Sequence, residues 1–139
     1  MRHRNHRHRL SRPVGPREAL MRNLAVALVE HERIRTTVAK AKALRPFIER
    51  LVTLGREDST HRRRLVFQKL QKKNAVTKLF DTLGPRNAQR PGGYTRIILD
   101  NRRQGDGAEM AYIEFVEKAP EAAAAAAGDA DAAKGGADA

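Results

Sequence analysis

The sequence predicts an α+β protein in which about four helices pack on a short antiparallel or mixed sheet that contains a β-hairpin. Three observations predict this fold class. The length of 139 residues suits one small domain. Apolar residues recur at helical spacing through most of the chain, and two alternating stretches on either side of a Gly-Asp-Gly turn follow them. We divide the chain into an extended basic arm (residues 1–15), a globular domain (16–118) and a disordered, Ala-rich acidic tail (119–139).

The arm is strongly basic and almost without large apolar side chains. Met1 to Arg17 holds six Arg, three His and no acidic residue. Such a segment buries too little surface to offset the entropy of ordering it, so we expect it to be flexible in isolation. A polyphosphate could order the arm by neutralising its charge, and guanidinium groups suit phosphate recognition better than ammonium groups do. The alternative is a merely solvated tail.

The first helix is predicted over residues 16–31. Pro16 fits the first helical turn, where its missing N–H costs nothing. Leu20, Leu24 and Leu28 then recur on one helical face. A short strand is predicted over 33–37, because charged and β-branched residues alternate there.

The second helix is predicted over residues 38–54, with the Thr37 hydroxyl as its N-terminal cap and Gly55 at its end. Its apolar stripe includes Leu44 and Ile48. Pro46 lies inside this stripe and has no N–H to donate to the preceding turn. We therefore expect a kink or a break in the helix at this proline.

A third helix follows a cap at Ser59 or Thr60, and Leu65, Val66 and Leu70 are predicted to form its inner face. Its first turn carries the run Arg62-Arg63-Arg64. Cations at this end oppose the positive end of the helix dipole, and an external anion would remove the conflict. The run is therefore a candidate for RNA contact, and an ordinary solvated face is the alternative.

A fourth, short helix is predicted to begin at Asn74 and to end at Gly84-Pro85. Two strands, 94–100 and 109–117, then form a hairpin with a longish loop. A hairpin alone is only marginally stable, so we expect the strand at 33–37 to join it in a three-stranded sheet covered by the helices.

The charge of the chain is unevenly distributed. The formal net charge is +12, but residues 1–103 carry +18 and residues 104–139 carry −6. A basic excess of this size favours a polyanionic partner. Aromatic residues are few, and we predict that they lie mainly in the core, which leaves phosphate and shape recognition as the main binding mode. The aromatic residues are Phe47, Phe67, Phe80, Tyr94, Tyr112 and Phe115.

Residues for catalysis or metal binding are not grouped in any familiar motif. The chain has no Cys, which excludes disulfides, thiolate catalysis and Cys-based zinc sites. Ser11 and Ser59 do not lie in a nucleophile elbow, and the histidines of the arm alternate with arginines that would repel a metal cation. No apolar run is long enough to span a membrane. We predict no enzyme activity, no catalytic residue, no cofactor, no metal, no small-molecule substrate and no membrane partner.

Several motifs resemble one known family, in order and spacing, over about residues 1–118. They are Met1-Arg2-His3-Arg4, Leu10-Ser11-Arg12, Arg22-Asn23-Leu24-Ala25, His31-Glu32, Ile34-Arg35-Thr36-Thr37, Lys40-Ala41-Lys42, Leu44-Arg45, Lys78-Leu79-Phe80, Leu83-Gly84-Pro85-Arg86, Gly92-Gly93-Tyr94-Thr95-Arg96-Ile97 and Met110-Ala111-Tyr112-Ile113-Glu114. With these motifs the chain resembles the bacterial large-subunit ribosomal protein seventeen family. The resemblance implies a cytoplasmic structural component of the large ribosomal subunit. It also implies binding to 23S ribosomal RNA near the outer end of the peptide exit tunnel, beside neighbouring ribosomal proteins.

The residues that we expect to bind RNA are the cations of the arm and of the basic helix faces, together with one histidine of the arm. They are Arg2, His3, Arg4, Arg7, Arg9, Arg12, Arg17, Arg22, Arg35, Lys40, Arg45, Arg62, Arg63, Arg86, Arg90 and Arg96. Lys69, Lys72 and Lys73 extend this basic surface. The alternative function is a nucleoid-type DNA-binding protein, because basic helices and a β-arm also occur in that class. A nuclease is a third, weaker hypothesis.

Overall fold

A computed structural model of the chain describes residues 8–117, so the first seven residues of the arm and the predicted tail lie outside it. Helix α1 spans Val14–His31, strand β1 Arg33–Thr37, helix α2 Val38–Gly55 and helix α3 Thr60–Leu70. Helix α4 spans Lys73–Lys78 and continues through a π-helical turn, Leu79–Leu83, into a final helical turn, Gly84–Arg86. Strand β2 spans Thr95–Asp100 and strand β3 Met110–Phe115. The α+β class is confirmed.

The sheet is antiparallel throughout, with β3 between β1 and β2. The predicted hairpin and its third strand are thus confirmed. Ile113 of β3 lies opposite Ile34 and Ile97, and all three pack against the helices. These three isoleucines lie side by side on one face of the sheet, and this apolar face closes one side of the core.

The core lies between this face of the sheet and the helices. Leu28 of α1, Leu44 and Ile48 of α2, and Leu79 of the π-helical turn are fully buried. The sheet contributes Ile113 and Phe115 on the other side. None of the helices within residues 8–117 is both long and apolar enough to cross a membrane.

Pro46 does not break α2, which runs without interruption from Val38 to Gly55. The proline has no N–H to donate to the Lys42 carbonyl group. Both residues are exposed, so water can solvate that carbonyl.

Thr37 does occupy the N-cap position of α2 in an extended conformation, but its hydroxyl makes no capping hydrogen bond, in contrast to our prediction. In α3 the Ser59 hydroxyl oxygen accepts a hydrogen bond from the Arg62 N–H at 3.2 Å, as predicted.

The prediction that Gly84-Pro85 ends the fourth helix is wrong. The helical path continues to Arg86, because the π-helical turn lets the Gly84 N–H donate to the Leu79 carbonyl oxygen. Gly84 also packs directly on α2, and a Cβ at this position would overlap the carbonyl group of Gly55. This glycine therefore serves close helix packing instead of helix termination.

Two side chains of α3 that we predicted in the core lie outside it. Leu65 is 37% exposed and Phe67 is 42% exposed. Only Val66 and Leu70 of this helix are buried, because the other elements within residues 8–117 cover α3 along a single narrow side. The wide exposed surface of α3 therefore carries both apolar and basic side chains.

Candidate nucleic-acid interface

A groove of about 580 Å³ lies where α1, α2 and α3 meet. Four cations line it: Arg17 and Arg22 from α1, Arg50 from α2 and Lys69 from α3. Glu18 is the one acidic residue of its lining. We call this site the basic groove. Four positive charges around one concave surface create a positive potential that attracts a polyanion.

The basic groove is held in shape by a bond between two helices. The Arg22 Nε–H donates a hydrogen bond of 3.2 Å to the backbone carbonyl oxygen of Lys69, near the end of α3. Carbonyl groups in the last turn of a helix lack a partner inside the helix, so this bond satisfies one of them and fixes α1 against α3. Pro46 and Phe47 of α2 form part of the lining. The groove is thus built on helices and not on loops.

The arm reaches the basic groove at His8, which is part of the groove lining. Beyond it, Arg9 to Arg12 form a tight turn in which the Arg12 N–H donates to the Arg9 carbonyl oxygen at 3.1 Å. Both central residues of this turn, Leu10 and Ser11, have a positive φ. The two arginines of the turn are exposed, so they extend the positive surface of the groove.

Further cations lie on the exposed side of α2. Lys42 and Arg45 are exposed, and Lys40 is half-buried. Within residues 8–117 none of these three, nor Arg50, makes an ion pair. Their charges remain available to a partner, and they are continuous with the basic groove through Arg50.

The structure gives six of the predicted RNA-binding arginines a carboxylate partner inside the protein. Three of these pairs lie on the surface, and the other three involve a half-buried or buried carboxylate, namely Asp100, Glu32 or Glu114. The pairs are Arg35–Asp100 (2.6 Å), Arg62–Glu57, Arg63–Asp58 (2.7 Å), Arg86–Glu32 (2.8 Å), Arg90–Glu117 (3.4 Å) and Arg96–Glu114. RNA contact by these six residues stays a prediction, and their charge is already largely balanced.

The ion pairs also change the interpretation of the Arg62-Arg63-Arg64 run. Glu57 and Asp58, just before α3, supply the anions that we had expected from outside, and Asp81 adds a third. The bidentate hydrogen bond from Arg63 lowers the pKa of the Asp58 carboxyl below its ordinary value. The same carboxylates raise the pKa of Arg63. Arg64 alone in this run has no carboxylate partner within residues 8–117.

The ten predicted site residues without a carboxylate partner fall into two groups. Arg2, His3, Arg4 and Arg7 lie outside the described residues. Arg17 and Arg22 come together in the basic groove, with Arg9, Arg12, Lys40 and Arg45 on the adjoining surface. Arg50 of the groove and Lys42 beside it were missing from our predicted set. Their position off the apolar stripe of α2 was a signal that could have found them.

Glu32 forms a partly buried ion-pair network with two cations. Its carboxylate accepts a hydrogen bond from Arg86, whose side chain is 13% exposed, and it pairs with Lys78 at 3.3 Å. Burial of Glu32 opposes its ionisation, but the hydrogen bonds and charges of Arg86 and Lys78 outweigh it and lower the pKa of the carboxyl. The network joins the end of α1 to the last helical turn, so Arg86 stabilises the fold.

Replacing Glu32 with Gln should lower the free energy of unfolding by about 1–3 kcal/mol at neutral pH, because the substitution removes a charged hydrogen-bonded pair. A carboxyl whose pKa is lowered by folding stabilises the protein above its ordinary pKa of 4.5, and this stabilisation disappears as the pH falls below that value. The difference between wild type and variant should therefore shrink below about pH 4.5 in urea denaturation.

Glu109→Gln is the matched control for this prediction. Glu109 pairs with Arg102 at 3.8 Å, and both side chains are largely exposed. Such a pair contributes at most about 1 kcal/mol. Equal effects of the two substitutions at neutral pH would contradict the role assigned to Glu32.

Metal chemistry has no support in the described part of the chain. Residues 8–117 contain no group of three or more His, Asp or Glu side chains placed to hold a metal ion. The basic groove has one carboxylate among four cations, which is the wrong charge balance for a divalent cation.

Comparison with known proteins gives one consistent result. The family model described as ribosomal protein L17 matches residues 20–116. A protein of Thermomicrobium roseum named large ribosomal subunit protein bL17 is 54% identical over 116 residues, which cover 84% of this chain and 99% of that protein. Proteins of the same name from Flavobacterium johnsoniae and Bacteroides fragilis are 53% and 51% identical over 117 residues, which cover 84% of this chain and 72% and 73% of theirs.

Proposed function

The chain belongs to the ribosomal protein L17 family, and from this we propose that it binds 23S ribosomal RNA through the basic groove, the exposed side of α2 and the arm. Members of this family are structural components of the large ribosomal subunit and not enzymes, so the protein acts in translation and lies in the cytoplasm as part of that subunit. Neighbouring ribosomal proteins are its proposed protein partners. The position near the outer end of the peptide exit tunnel rests on the family resemblance alone.

One observation supports the proposed RNA contact: three helices contribute four cations to the lining of the basic groove, and the lining contains a single carboxylate. By contrast, the cations elsewhere on the domain are mostly paired with acids of the chain. Unpaired cations held close together repel one another, and the phosphates of RNA relieve that repulsion while releasing condensed counterions. The proposed mode of recognition is contact with phosphates and with RNA shape.

The salt dependence of binding follows from this mechanism. With about six to ten phosphate contacts, the affinity should fall roughly 10³- to 10⁵-fold between 50 and 200 mM salt. A competition between 23S RNA and duplex DNA at matched salt tests the choice of partner. Preference for the RNA supports the proposal, whereas equal binding would favour the nucleoid-type alternative.

Removal of residues 1–12 should weaken RNA binding without unfolding the domain. α1 begins at Val14, so the deletion leaves every helix and strand that the structure describes in residues 8–117 complete. It removes five arginines, and the salt slope of binding should fall by about 0.7–0.9 for each phosphate that is no longer neutralised. Circular dichroism should show a nearly unchanged thermal transition, and filter binding at several salt concentrations should show the smaller slope.

A variant with Gln at those five arginines is the control for the shortening of the chain. It should reproduce the effect of the deletion on the slope. If both proteins kept the slope of the wild type, the domain alone would account for the phosphate contacts and the proposed role of the arm would be wrong.

A further inference from the structure

Phe67 is the one aromatic side chain within residues 8–117 that is exposed, at 42% of its surface. It lies on α3, where Val66 and Leu70 pack against the core. Leaving an aromatic ring in water is unfavourable, because the free energy of burying its apolar surface is not gained. An exposed ring on a basic helix is therefore a candidate contact for a binding partner.

Phe67 lines a groove of about 420 Å³ between α3 and α4. The lining includes Thr60, Arg64 and Phe67 from α3, and Lys73, Val76 and Thr77 from α4. We call it the Phe67 groove. Its surface combines an aromatic ring and a valine with two hydroxyl groups, and its volume lies within the range of small-ligand sites.

The charge of the Phe67 groove is positive. No carboxylate belongs to its lining, and within residues 8–117 neither Arg64 nor Lys73 makes an ion pair. The third cation of the lining, Arg63, is occupied by Asp58 and Asp81 and lies 5.0 Å from the centre of the Phe80 ring. Two free cations therefore flank an exposed aromatic ring.

We propose that the Phe67 groove binds one unpaired base of the RNA, which stacks on the Phe67 ring while Arg64 and Lys73 contact the adjoining phosphates. A nucleotide is flat and apolar on its base and anionic on its phosphate, which matches this lining. The inference rests on the proposed function, since it names a contact within the same RNA interface.

The position of α3 favours RNA over an acidic protein partner. The same helix borders the basic groove through Gln68 and Lys69, and borders the Phe67 groove through Arg64 and Phe67. Thr60–Leu70 contains no acidic residue. One polyanionic strand that crosses α3 can therefore occupy both grooves. The acidic side chains of a peptide carry no flat ring, whereas every nucleotide carries one beside its phosphate.

Tryptophan fluorescence tests the stacking contact, because the chain contains no Trp. In Phe67→Trp, single-stranded oligoadenylate should quench the emission of the indole by stacking on it. Inorganic polyphosphate, which offers phosphates without bases, should leave the emission nearly unchanged. Leu65→Trp is the matched control, since Leu65 is exposed on the same helix but outside the Phe67 groove, and oligoadenylate should quench it far less.

The affinity for 23S RNA tests the same contact without a probe. Phe67→Ala should weaken binding about 5- to 150-fold, whereas Phe67→Tyr should stay within about threefold of the wild type. Equal affinities of the Ala variant and the wild type, together with equal quenching at positions 65 and 67, would overturn the inference. A failure of the wild-type protein to prefer 23S RNA over duplex DNA would instead overturn the proposed function.

A photo-crosslinking residue at position 67 in reconstituted large subunits distinguishes the occupant. A crosslink to RNA supports the inference. A crosslink to another ribosomal protein would show that a protein covers Phe67 and would overturn the inference while leaving the basic groove unaffected.

Discussion

Gly84→Ala should destabilise the protein by about 2–3 kcal/mol and lower its thermal midpoint by roughly 8–20 °C. An alanine Cβ at this position would overlap the carbonyl oxygen of Gly55 and lie 2.6 Å from the carbonyl carbon. Those atoms belong to the backbone of α2, which is packed in the core and cannot move away as a flexible side chain could. The two helices must therefore separate, and the packing of Leu79 and Leu83 in the core weakens with them.

Gly15→Ala is the control, because a Cβ at Gly15 has no atom of the protein within 4 Å. This substitution lies in the first turn of α1 and should leave the stability unchanged or raise it by up to about 1 kcal/mol. Thermal unfolding followed by circular dichroism compares the two variants. Similar midpoints for both would show that the backbones at Gly55 and Gly84 do not meet closely.

Replacing Arg17, Arg22, Arg50 and Lys69 together with Gln should weaken binding to 23S RNA by about 10²- to 10³-fold at roughly 0.15 M salt. Each phosphate contact contributes about 0.7–0.9 to the salt slope, which corresponds to roughly fivefold in affinity at this salt concentration. The slope itself should fall by about three to four. Filter binding at several salt concentrations measures both quantities.

The control variant carries the same change of charge elsewhere. Arg35 and Arg90 belong to the wider predicted set, but they lie outside the basic groove and pair with a carboxylate, as do Arg102 and Arg103. Replacing these four residues by Gln also removes four positive charges. Removing such surface pairs changes stability little. We expect the affinity of this variant to fall by about tenfold or less. Equal reductions for the two variants would mean that net charge alone, without the basic groove, governs binding.

Local patterns in the sequence predicted most helices and strands, because the alternation of a strand and the cap of a helix depend only on residues close together in the chain. The alternation in residues 33–37 gave a strand with the same bounds in the structure, and the cap at Ser59 was predicted as well. The predicted end of the helix at Gly84 failed, because Gly84 is needed for close packing on Gly55. That packing joins residues far apart in the sequence, so no local pattern reveals it.

The candidate site was only partly predictable for the same reason. The sequence indicated basic helices, but the pairing of Arg86 with Glu32 joins residues 54 positions apart and is formed only by the fold. Nor could the pattern show which aromatic side chain remains exposed. The spacing of Phe67 predicted a place in the core, but no helix or strand within residues 8–117 covers that side of α3.

The central claim is that the basic groove faces RNA in the large subunit, and crosslinking from the groove tests it most directly. A photo-crosslinking residue in place of Arg50 should, in purified large subunits, crosslink mainly to 23S RNA. The same residue in place of Leu99, which is 73% exposed on β2 and outside the groove, should give much less RNA crosslinking. Crosslinks from position 50 to protein alone, or RNA crosslinks equal to those from position 99, would contradict the claim.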